Sequence, residues 1–234
     1  MAFYLTPAHP CNYLPGREAQ TLFADPAAAM SAALYSQLVR SGFRRSGQYV
    51  YRPHCEGCAA CVPIRLPAAD FMWRRTHRRT LARNAGVNVR VRPAAFDAAH
   101  FDLYTRYLAA RHPGGGMDNP TPDKYLSFLT NAWAGTRFAE FRAGERLLMV
   151  AVVDPLRDGL SAVYTFYDPD LPDRSLGSLA ILWQVLECQR LKQPHVYLGY
   201  WIEDCVKMTY KSRYTPHELL LHGRWQRAAS PSSG

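Results

Sequence analysis

The chain has 234 residues, of which 48% are hydrophobic and 20% are charged, a composition that argues against an intrinsically disordered protein. A membrane helix requires about 18 consecutive apolar residues, and no apolar run in this chain approaches that length. The N-terminus lacks the basic and apolar regions of a secretion signal, so we expect a cytoplasmic protein. The net charge is +9, and the excess is arginine, whose planar fork suits phosphates and carboxylates.

The first part of the chain is predicted to hold an irregular arm, two helices and three short strands. Proline in the first turn and glycine after the last one bound the first helix, and period-two alternation marks the strands. The predicted elements in chain order are an arm over residues 1–16, a helix over Pro26–Arg40, strands over Gln48–Arg52 and Val62–Leu66, a helix over Arg74–Asn84 and a strand over Val87–Arg92.

A basic span lies between Phe71 and Phe96, where there is no acidic residue. Like charges repel one another unless an anion lies nearby, and RNA phosphate is a common partner for such a block. The span therefore favours nucleic acid, with a solvated basic face as the alternative. Its arginines are Arg74, Arg75, Arg78, Arg79, Arg83, Arg90 and Arg92.

The sequence Cys55-Glu-Gly-Cys58-Ala-Ala-Cys61 has the two-residue gaps that let successive thiolates surround one metal centre. Cys11 is the predicted fourth ligand, and His54 is an alternative. This pattern suits an iron–sulfur cluster or a zinc ion, and a reduced, metal-free turn is the other interpretation.

The second part of the chain alternates between predicted helices and strands, with a mobile loop over 113–120 and turns over 168–173. The helices are predicted over Phe96–His112, Asp123–Ala132 and Ser178–Lys192, with a helical turn over Asp204–Tyr210. The strands are predicted over Arg137–Arg142, Arg146–Val153, Leu160–Tyr167, His195–Gly199 and Glu218–Leu221.

This order predicts a mixed α/β fold with a GCN5-like acyltransferase arrangement in the C-terminal part, because three meander strands precede a long helix and a further strand. A smaller, cysteine-containing lobe is expected at the N-terminus. The predicted domains are residues 1–92 and 93–227, followed by a disordered tail over 228–234.

A candidate donor-binding loop, Arg174-Ser-Leu-Gly177-Ser178, opens the long helix after Tyr164–Pro169 ends a strand. A helix N-terminus offers unpaired N–H groups and the positive end of its dipole to an anion. Gly177 lets a phosphate approach the backbone, Ser178 adds a hydroxyl, and Arg174 clamps an oxygen. The pattern is similar in form to the pyrophosphate loop of acetyl-CoA transferases, although glycine at a helix start is also found in tight turns.

Several blocks resemble the arginyl/leucyl-tRNA–protein transferases, and the resemblance covers about Cys11 to Leu221. The N-terminal blocks are Phe43-Arg-Arg-Ser-Gly47, Tyr51-Arg-Pro-His-Cys55 and Pro63-Ile-Arg65. The C-terminal blocks are Tyr107–His112, Tyr167–Pro169, Arg174–Gly177, Tyr197–Ile202 and Lys207-Met-Thr-Tyr-Lys211. The compact size resembles the bacterial leucyl-transferring branch, which implies transfer of leucine from charged tRNA to proteins that begin with Asp or Glu and so marks them for degradation.

The chemistry implied by this resemblance requires no cofactor for transfer and no protein nucleophile, because a free amine attacks an aminoacyl ester. The enzyme aligns the substrates, moves a proton and stabilises the oxyanion. The predicted catalytic residues are Tyr167, Asp168, Tyr200 and Lys207. The predicted tRNA contacts are Arg174, Ser175, Gly177, Ser178, Lys211, Arg74, Arg75, Arg78 and Arg79. The predicted recognition residues for an acidic N-terminus are Arg45, Arg52, Arg65 and Arg111.

Some assignments stay open at this point. The general base is Asp168, Glu203, Asp204 or the tRNA ribose hydroxyl. Residues 197–202 line a leucine pocket or are core aromatics, and Lys207 and Lys211 form a specific site or a solvated edge. The alternative functions are arginine transfer from tRNA, acetyl-CoA-dependent acyl transfer, and RNA binding without catalysis.

Overall fold

The computed structural model describes residues 1–114 and 119–228. Parts of the predicted mobile loop and of the predicted tail, residues 115–118 and 229–234, lie outside the described residues. The strands are β1 Phe3–Leu5, β2 His9–Pro10, β3 Glu18–Ala19, β4 Thr21–Ala24, β5 Arg44–Ser46, β6 Tyr49–Pro53, β7 Val62–Pro67, β8 Asn88–Pro93, β9 Arg137–Ala143, β10 Arg146–Leu156, β11 Gly159–Tyr167, β12 His195–Trp201, β13 Glu218–Leu221 and β14 Arg224–Arg227. The helices are α1 Ala32–Arg40, α2 Arg75–Arg83, α3 Ala98–Arg111, α4 Pro122–Leu129, α5 Leu176–Arg190 and α6 Val206–Thr209, with 3-10 turns at Pro172–Arg174 and Tyr210–Arg213.

An eight-stranded sheet forms the centre of this mixed α/β fold, in the order β14-β13-β7-β12-β11-β10-β9-β8. The interior strand β10 is buried over seven consecutive residues, Leu148–Asp154, because both of its faces are covered. Val150 and Val152 pack in the cluster that contains α3 and α4, whereas Met149 and Ala151 pack in the cluster that contains α5. This alternation explains why β10 is a continuous apolar run instead of an amphipathic strand.

The two parts of the chain share this sheet. Strand β7 lies between β12 and β13, and β8 pairs with β9 over its whole length at the other edge. The predicted boundary at 92/93 therefore falls inside β8, an edge strand of this sheet. Residues before β7 add a smaller sheet in the order β1-β4-β6-β5.

The prediction of an irregular arm over residues 1–16 is wrong, because β1 and β2 lie there. All three residues of β1 are exposed, so the sequence carries no alternation that would reveal the strand. Helix α1 begins at Ala32 instead of Pro26, since the side chain of Ser31 accepts a hydrogen bond from the Leu34 amide and caps the helix there.

The parallel strands β11 and β12 pair over only three residues of each, Gly159–Ser161 with His195–Tyr197. Beyond that point the two strands separate toward their carboxyl ends. We call the opening between them the wedge, bounded by residues 162–167 of β11 and 198–201 of β12. Crevices at the carboxyl ends of parallel strands are common binding sites.

None of the helices in the described ranges is long and apolar enough to cross a membrane.

Candidate functional site

The predicted donor-binding loop lies at the N-terminus of α5, directly after β11. Ser175 caps this helix in the left-handed conformation, with φ 54° and ψ 45°, which is uncommon for a residue other than glycine. The first intrahelical backbone bond runs from the Leu179 amide to the Ser175 carbonyl at 3.0 Å. The amides of the preceding turn, Leu176, Gly177 and Ser178, therefore face away from the helix as free donors.

Gly177 has no steric reason within the fold to be glycine. A Cβ added there would lie 3.6 Å from the ring of Tyr167, an ordinary van der Waals contact. The described fold would therefore accept an alanine at this position, in contact with Tyr167.

The basic helix α2 supports the loop directly. The Asn84 side-chain amide donates to the Arg174 carbonyl and to the Thr80 carbonyl, at 2.9 Å in both cases. Arg83 donates to the Asp173 carbonyl. Two features predicted separately, the basic span and the donor-binding loop, thus form one continuous surface, and neither Asn84 nor Arg83 was predicted to connect them.

The arginines of this surface are exposed, and none of them forms an ion pair with a carboxylate in the described ranges. They are Arg74, Arg75, Arg78, Arg79 and Arg83. Arg74 also donates to the Thr215 hydroxyl at 3.0 Å. A row of exposed cations without counter-charges suits a phosphate backbone.

Asp168 is not placed as a general base. It is 1% exposed and pairs with Arg146 at 2.7 Å and Arg106 at 3.3 Å. Burial acts to raise the pKa of Asp168, but hydrogen bonds from Arg146 and from the Asp170 amide, with the charge of Arg106, hold it below its usual value. A carboxylate stabilised in this way is a poor proton acceptor, and it instead fixes the turn after β11.

Tyr200 is a core residue, as the alternative interpretation of residues 197–202 expected. Its hydroxyl donates to the Gly42 carbonyl at 2.9 Å, and burial raises its pKa. Tyr197 is buried as well and donates to Asp158 at 2.8 Å. Neither hydroxyl is free to act on a substrate, so the prediction of a catalytic Tyr200 is contradicted.

Tyr167 lies at the mouth of the wedge. Its ring meets the ring of Tyr107 with a centroid distance of 4.9 Å, and the Arg111 guanidinium lies 5.8 Å from its centroid. Burial and the positive charges of Lys207 and Arg111 lower the pKa of the nearby His112. Lys207 is exposed, so α6 contributes a cation to the same end of the sheet as Tyr167.

The two lysines of the Lys207–Lys211 block differ in their surroundings. Lys211 is 5% exposed, and its Nζ donates to the Tyr200 carbonyl at 2.5 Å. Burial, followed by the charge of Arg44, lowers the pKa of Lys211 to about 7. Lys211 therefore holds the end of β12, and the prediction that it contacts tRNA is contradicted because its amine does not reach the surface.

The four arginines predicted to recognise an acidic N-terminus fall into two classes. Arg45 is fully buried and pairs with Asp154 at 2.5 Å, and Arg65 pairs with Glu218 at 2.7 Å. Both are neutralised inside the fold, so their predicted role is contradicted. Arg52, which lies 5.1 Å from the centroid of Phe43, and Arg111 have no carboxylate partner among the described residues.

The cysteines predicted as metal ligands gather on one side of β12. Burial raises the pKa of Cys61 to about 12, with further contributions from Cys11, Cys55, Cys58 and Cys205. Backbone and Arg17 hydrogen bonds lower the pKa of Cys58. Within the described residues, no three of these thiols have sulfur atoms within 4.8 Å of one another.

Another cluster, Asp97, His100 and Glu140, meets that distance. Glu140 is already paired with Arg92 at 2.8 Å and Arg142 at 3.0 Å. Asp97 caps α3 through the Ala99 and His100 amides. The adjacent guanidinium charges make this cluster an ion-pair network and unfavourable for a cation.

Comparison with known proteins identifies the family of this chain. The family model described as the N terminus of arginine-tRNA-protein transferase matches residues 9–79, and the model of its C terminus matches residues 99–221. The chain belongs to the arginine-tRNA-protein transferase family. The first match contains most of α2, and the second contains the wedge, the donor-binding loop and α6.

Relatives with about half of their residues identical are named aspartate/glutamate leucyltransferase. The protein from Alcanivorax borkumensis is 52% identical over 99% of this chain and 96% of its own. The one from Nitrosococcus oceani is 53% identical, covering 95% of this chain and 94% of its own. The one from Pseudomonas aeruginosa is 50% identical, covering 96% of each.

Among solved structures, L-PGS from Bacillus licheniformis superposes with a TM-score of 0.51 over 72% of this chain and 58% of that chain, at 12% identity. This similarity extends to the fold alone.

Proposed function

We propose that this protein transfers leucine from Leu-tRNA to the N-terminal amine of proteins that begin with Asp or Glu, and so marks them for degradation in the cytoplasm. The observation that carries the proposal is the continuous cationic surface formed by α2 and the N-terminus of α5. The names of the relatives support the choice of leucine and of acidic acceptors.

We also propose that β8–β12 with α3 and α5 form a GCN5-like acyltransferase fold. Support comes from the antiparallel meander β8–β11, the parallel strand β12, and the wedge between β11 and β12. The donor-binding loop at the start of α5 stands at the open end of this wedge.

In the proposed reaction the lone pair of the acceptor amine attacks the ester carbonyl carbon of the leucyl group. The tetrahedral intermediate collapses with formation of the peptide bond and departure of the tRNA ribose oxygen, which takes up a proton as the amine loses one. No bond to the protein forms at any step, so the protein contributes alignment and electrostatic stabilisation.

The continuous cationic surface determines which residues are assigned to the donor, Leu-tRNA. The free amides of residues 176–178, with Arg174 and the hydroxyls of Ser175 and Ser178, bind a phosphate near the aminoacylated end of the tRNA. The exposed arginines of α2 bind the backbone further along. We assign Tyr167 and Lys207 to the reacting ester, since the Tyr167 ring lies beside Gly177 of the loop and Lys207 lies near His112.

A transfer assay tests the proposed function. Peptides that begin with Asp, Glu, Lys or Arg are mixed with labelled Leu-tRNA, Arg-tRNA or acetyl-CoA. We expect label to move from Leu-tRNA to the Asp and Glu peptides. Label that moves from acetyl-CoA alone, or salt-dependent RNA binding without any transfer, contradicts the proposal; label from Arg-tRNA alone identifies the donor as arginine.

The cysteine cluster is proposed as a metal site that supports the fold beside β12. Its donors are soft thiolates, which suit zinc or an iron–sulfur cluster, and Cys11, Cys55 and Cys58 lie near enough to Cys61 to contribute to raising its pKa. Metal analysis of anaerobically purified protein, compared with a Cys55→Ser and Cys58→Ser double variant, tests this assignment. A metal content that is the same in both proteins contradicts it.

A further inference from the structure

Arg44 occupies the wedge between β11 and β12. Its Nη2 donates to the carbonyl oxygens of Ala162 at 3.4 Å and Val163 at 3.1 Å. These carbonyls belong to the part of β11 that no longer pairs with β12. Arg44 thus replaces the missing strand contact and places a cation between the two strands.

Gly199 of β12 provides the room for this guanidinium. Its φ is +79°, in the left-handed region that favours glycine. A Cβ at Gly199 would lie 2.6 Å from both Cζ and Nε of Arg44, far inside van der Waals contact. Backbone conformation and steric contact therefore both require glycine, and they require it where Arg44 lies.

The charge of Arg44 has no carboxylate partner in the described ranges of the chain. The guanidinium lies 5.9 Å from the ring centroid of Tyr200, and its charge acts to lower the pKa of Tyr200 and of Lys211. A partly buried cation without a counter-charge is unfavourable unless an anion completes the site.

Arg44 keeps hydrogen-bond donors that the described residues do not use. The hydrogen bonds in the described residues use Nη2 only, so the Nε–H and Nη1–H bonds remain. Each of these can donate a charge-assisted hydrogen bond to a carboxylate oxygen.

We propose that Arg44 determines acceptor specificity by binding the side-chain carboxylate of the acceptor's N-terminal Asp or Glu within the wedge. This inference rests on the proposed function and names the residue that selects its substrate. The other candidates fit less well, since Arg45 and Arg65 are neutralised, Arg111 stacks on Tyr167 beside the donor-binding loop, and Arg52 stacks on Phe43.

The test compares transfer of leucine to peptides that begin with Asp and with Asn, which differ in the charge of one side chain. For the unmodified protein we expect kcat/KM to be about 100-fold higher for the Asp peptide, as for a charge-assisted hydrogen bond. In Arg44→Gln we expect kcat/KM for the Asp peptide to fall about 100-fold while that for the Asn peptide changes less than about threefold.

Arg44→Lys keeps the charge and loses the Nε–H and Nη1–H donors of the guanidinium, so we expect it to retain part of the discrimination between the Asp and Asn peptides. Arg190→Gln is the matched control, because it removes an arginine that pairs with Glu187 on the exposed far end of α5, and we expect full discrimination. Thermal denaturation shows whether each variant is folded, and a folded Arg44→Lys keeps the test decisive where Arg44→Gln does not fold.

An equal fall in kcat/KM for both peptides overturns the proposal and assigns Arg44 to the reacting ester or to the fold. Loss of discrimination in Arg52→Gln, with Arg44→Gln unchanged, also overturns it. These outcomes differ from failure of the proposed function, in which the unmodified protein transfers no leucine to the Asp peptide at all.

Discussion

Arg44 and Arg45 are neighbours on β5 with identical side chains, and the fold treats them in opposite ways. The Arg45 guanidinium is fully buried and bonds both carboxylate oxygens of Asp154, at 2.5 and 2.8 Å. Arg44 points to the other face of the strand, into the wedge, where it has carbonyl oxygens and aromatic rings but no carboxylate. The comparison shows that the partner, and not the residue type, separates a structural arginine from one available to a ligand.

The same distinction divides the cations of the whole described chain. Arg65, Arg106 and Arg146 are paired with carboxylates and hold strands and turns in place. The cations around the donor-binding loop, on α2 and in the wedge have no such partner. We therefore expect substitution of the paired group to change stability and substitution of the unpaired group to change substrate binding.

The largest effect is expected for Arg45→Met. It leaves Asp154 buried with only the hydroxyls of Tyr35 and Thr136 as donors, which costs about 3–5 kcal/mol of unfolding free energy. The matched control is Arg44→Met, which we expect to change the unfolding free energy by less than about 1 kcal/mol, because removal of an uncompensated charge offsets the lost hydrogen bonds. Chemical denaturation measures both, and equal destabilisation would remove the distinction between the two arginines.

Arg174→Ala extends the comparison to the donor-binding loop. Because its guanidinium has no carboxylate partner among the described residues, we expect KM for Leu-tRNA to rise about tenfold or more, as for the loss of one charge-assisted contact, with little change in melting temperature. Steady-state transfer kinetics check this, with Arg190→Ala as a control of equal charge change at the far end of α5. Unchanged kinetics in Arg174→Ala would show that the loop does not hold the donor.

Lys211→Met tests a buried cation without a counter-charge. The pKa of Lys211 is about 7 in the folded protein and 10.5 when unperturbed, so between these values the unfolded chain binds more protons and stability rises with pH. Below the lower value both states are protonated and this contribution is flat. Between about pH 7 and about pH 10, we expect the difference in unfolding free energy between the two proteins to change with pH, with a slope that corresponds to at most one proton. Parallel curves of unfolding free energy against pH would show that Lys211 titrates normally.

The smallest effect is expected for single arginines of α2. Each exposed arginine that contacts one phosphate adds about 0.7–0.9 to the slope of log affinity against log salt, so Arg78→Ala should weaken tRNA binding a few-fold and reduce that slope by about this amount. Filter binding at several salt concentrations measures it. An unchanged slope would show that Arg78 does not contact a phosphate of the tRNA.

The sequence was sufficient for the elements with strong periodicity. Helices α2 and α3 and strands β8–β12 lie within a few residues of their predicted positions, because each has a marked apolar pattern or a clear terminating residue. The small sheet β1-β4-β6-β5 is largely absent from the sequence prediction, since β1 is short and exposed and pairs with β4, which only the fold brings near it. The separate pair β2 and β3 has two residues in each strand, too few to show a pattern.

The site was predictable where its residues are consecutive and unpredictable where they are not. The donor-binding loop is one segment, so its pattern was visible. The partner that neutralises Arg45 is 109 positions away, and nothing local distinguishes Arg45 from Arg44. In the same way Cys205 is far from Cys61 in the sequence, and only the fold packs the two into one cluster.

The position of β7 has a consequence for any attempt to divide the protein. Because β7 fills the place between β12 and β13, a fragment that starts at Ala94 lacks a central strand and exposes the hydrogen-bonding edge of β12. Such an edge is open to aggregation. The complementary fragment, residues 1–93, carries the missing strand, so the two pieces should be insoluble when produced separately and should reassemble into an active complex when produced together.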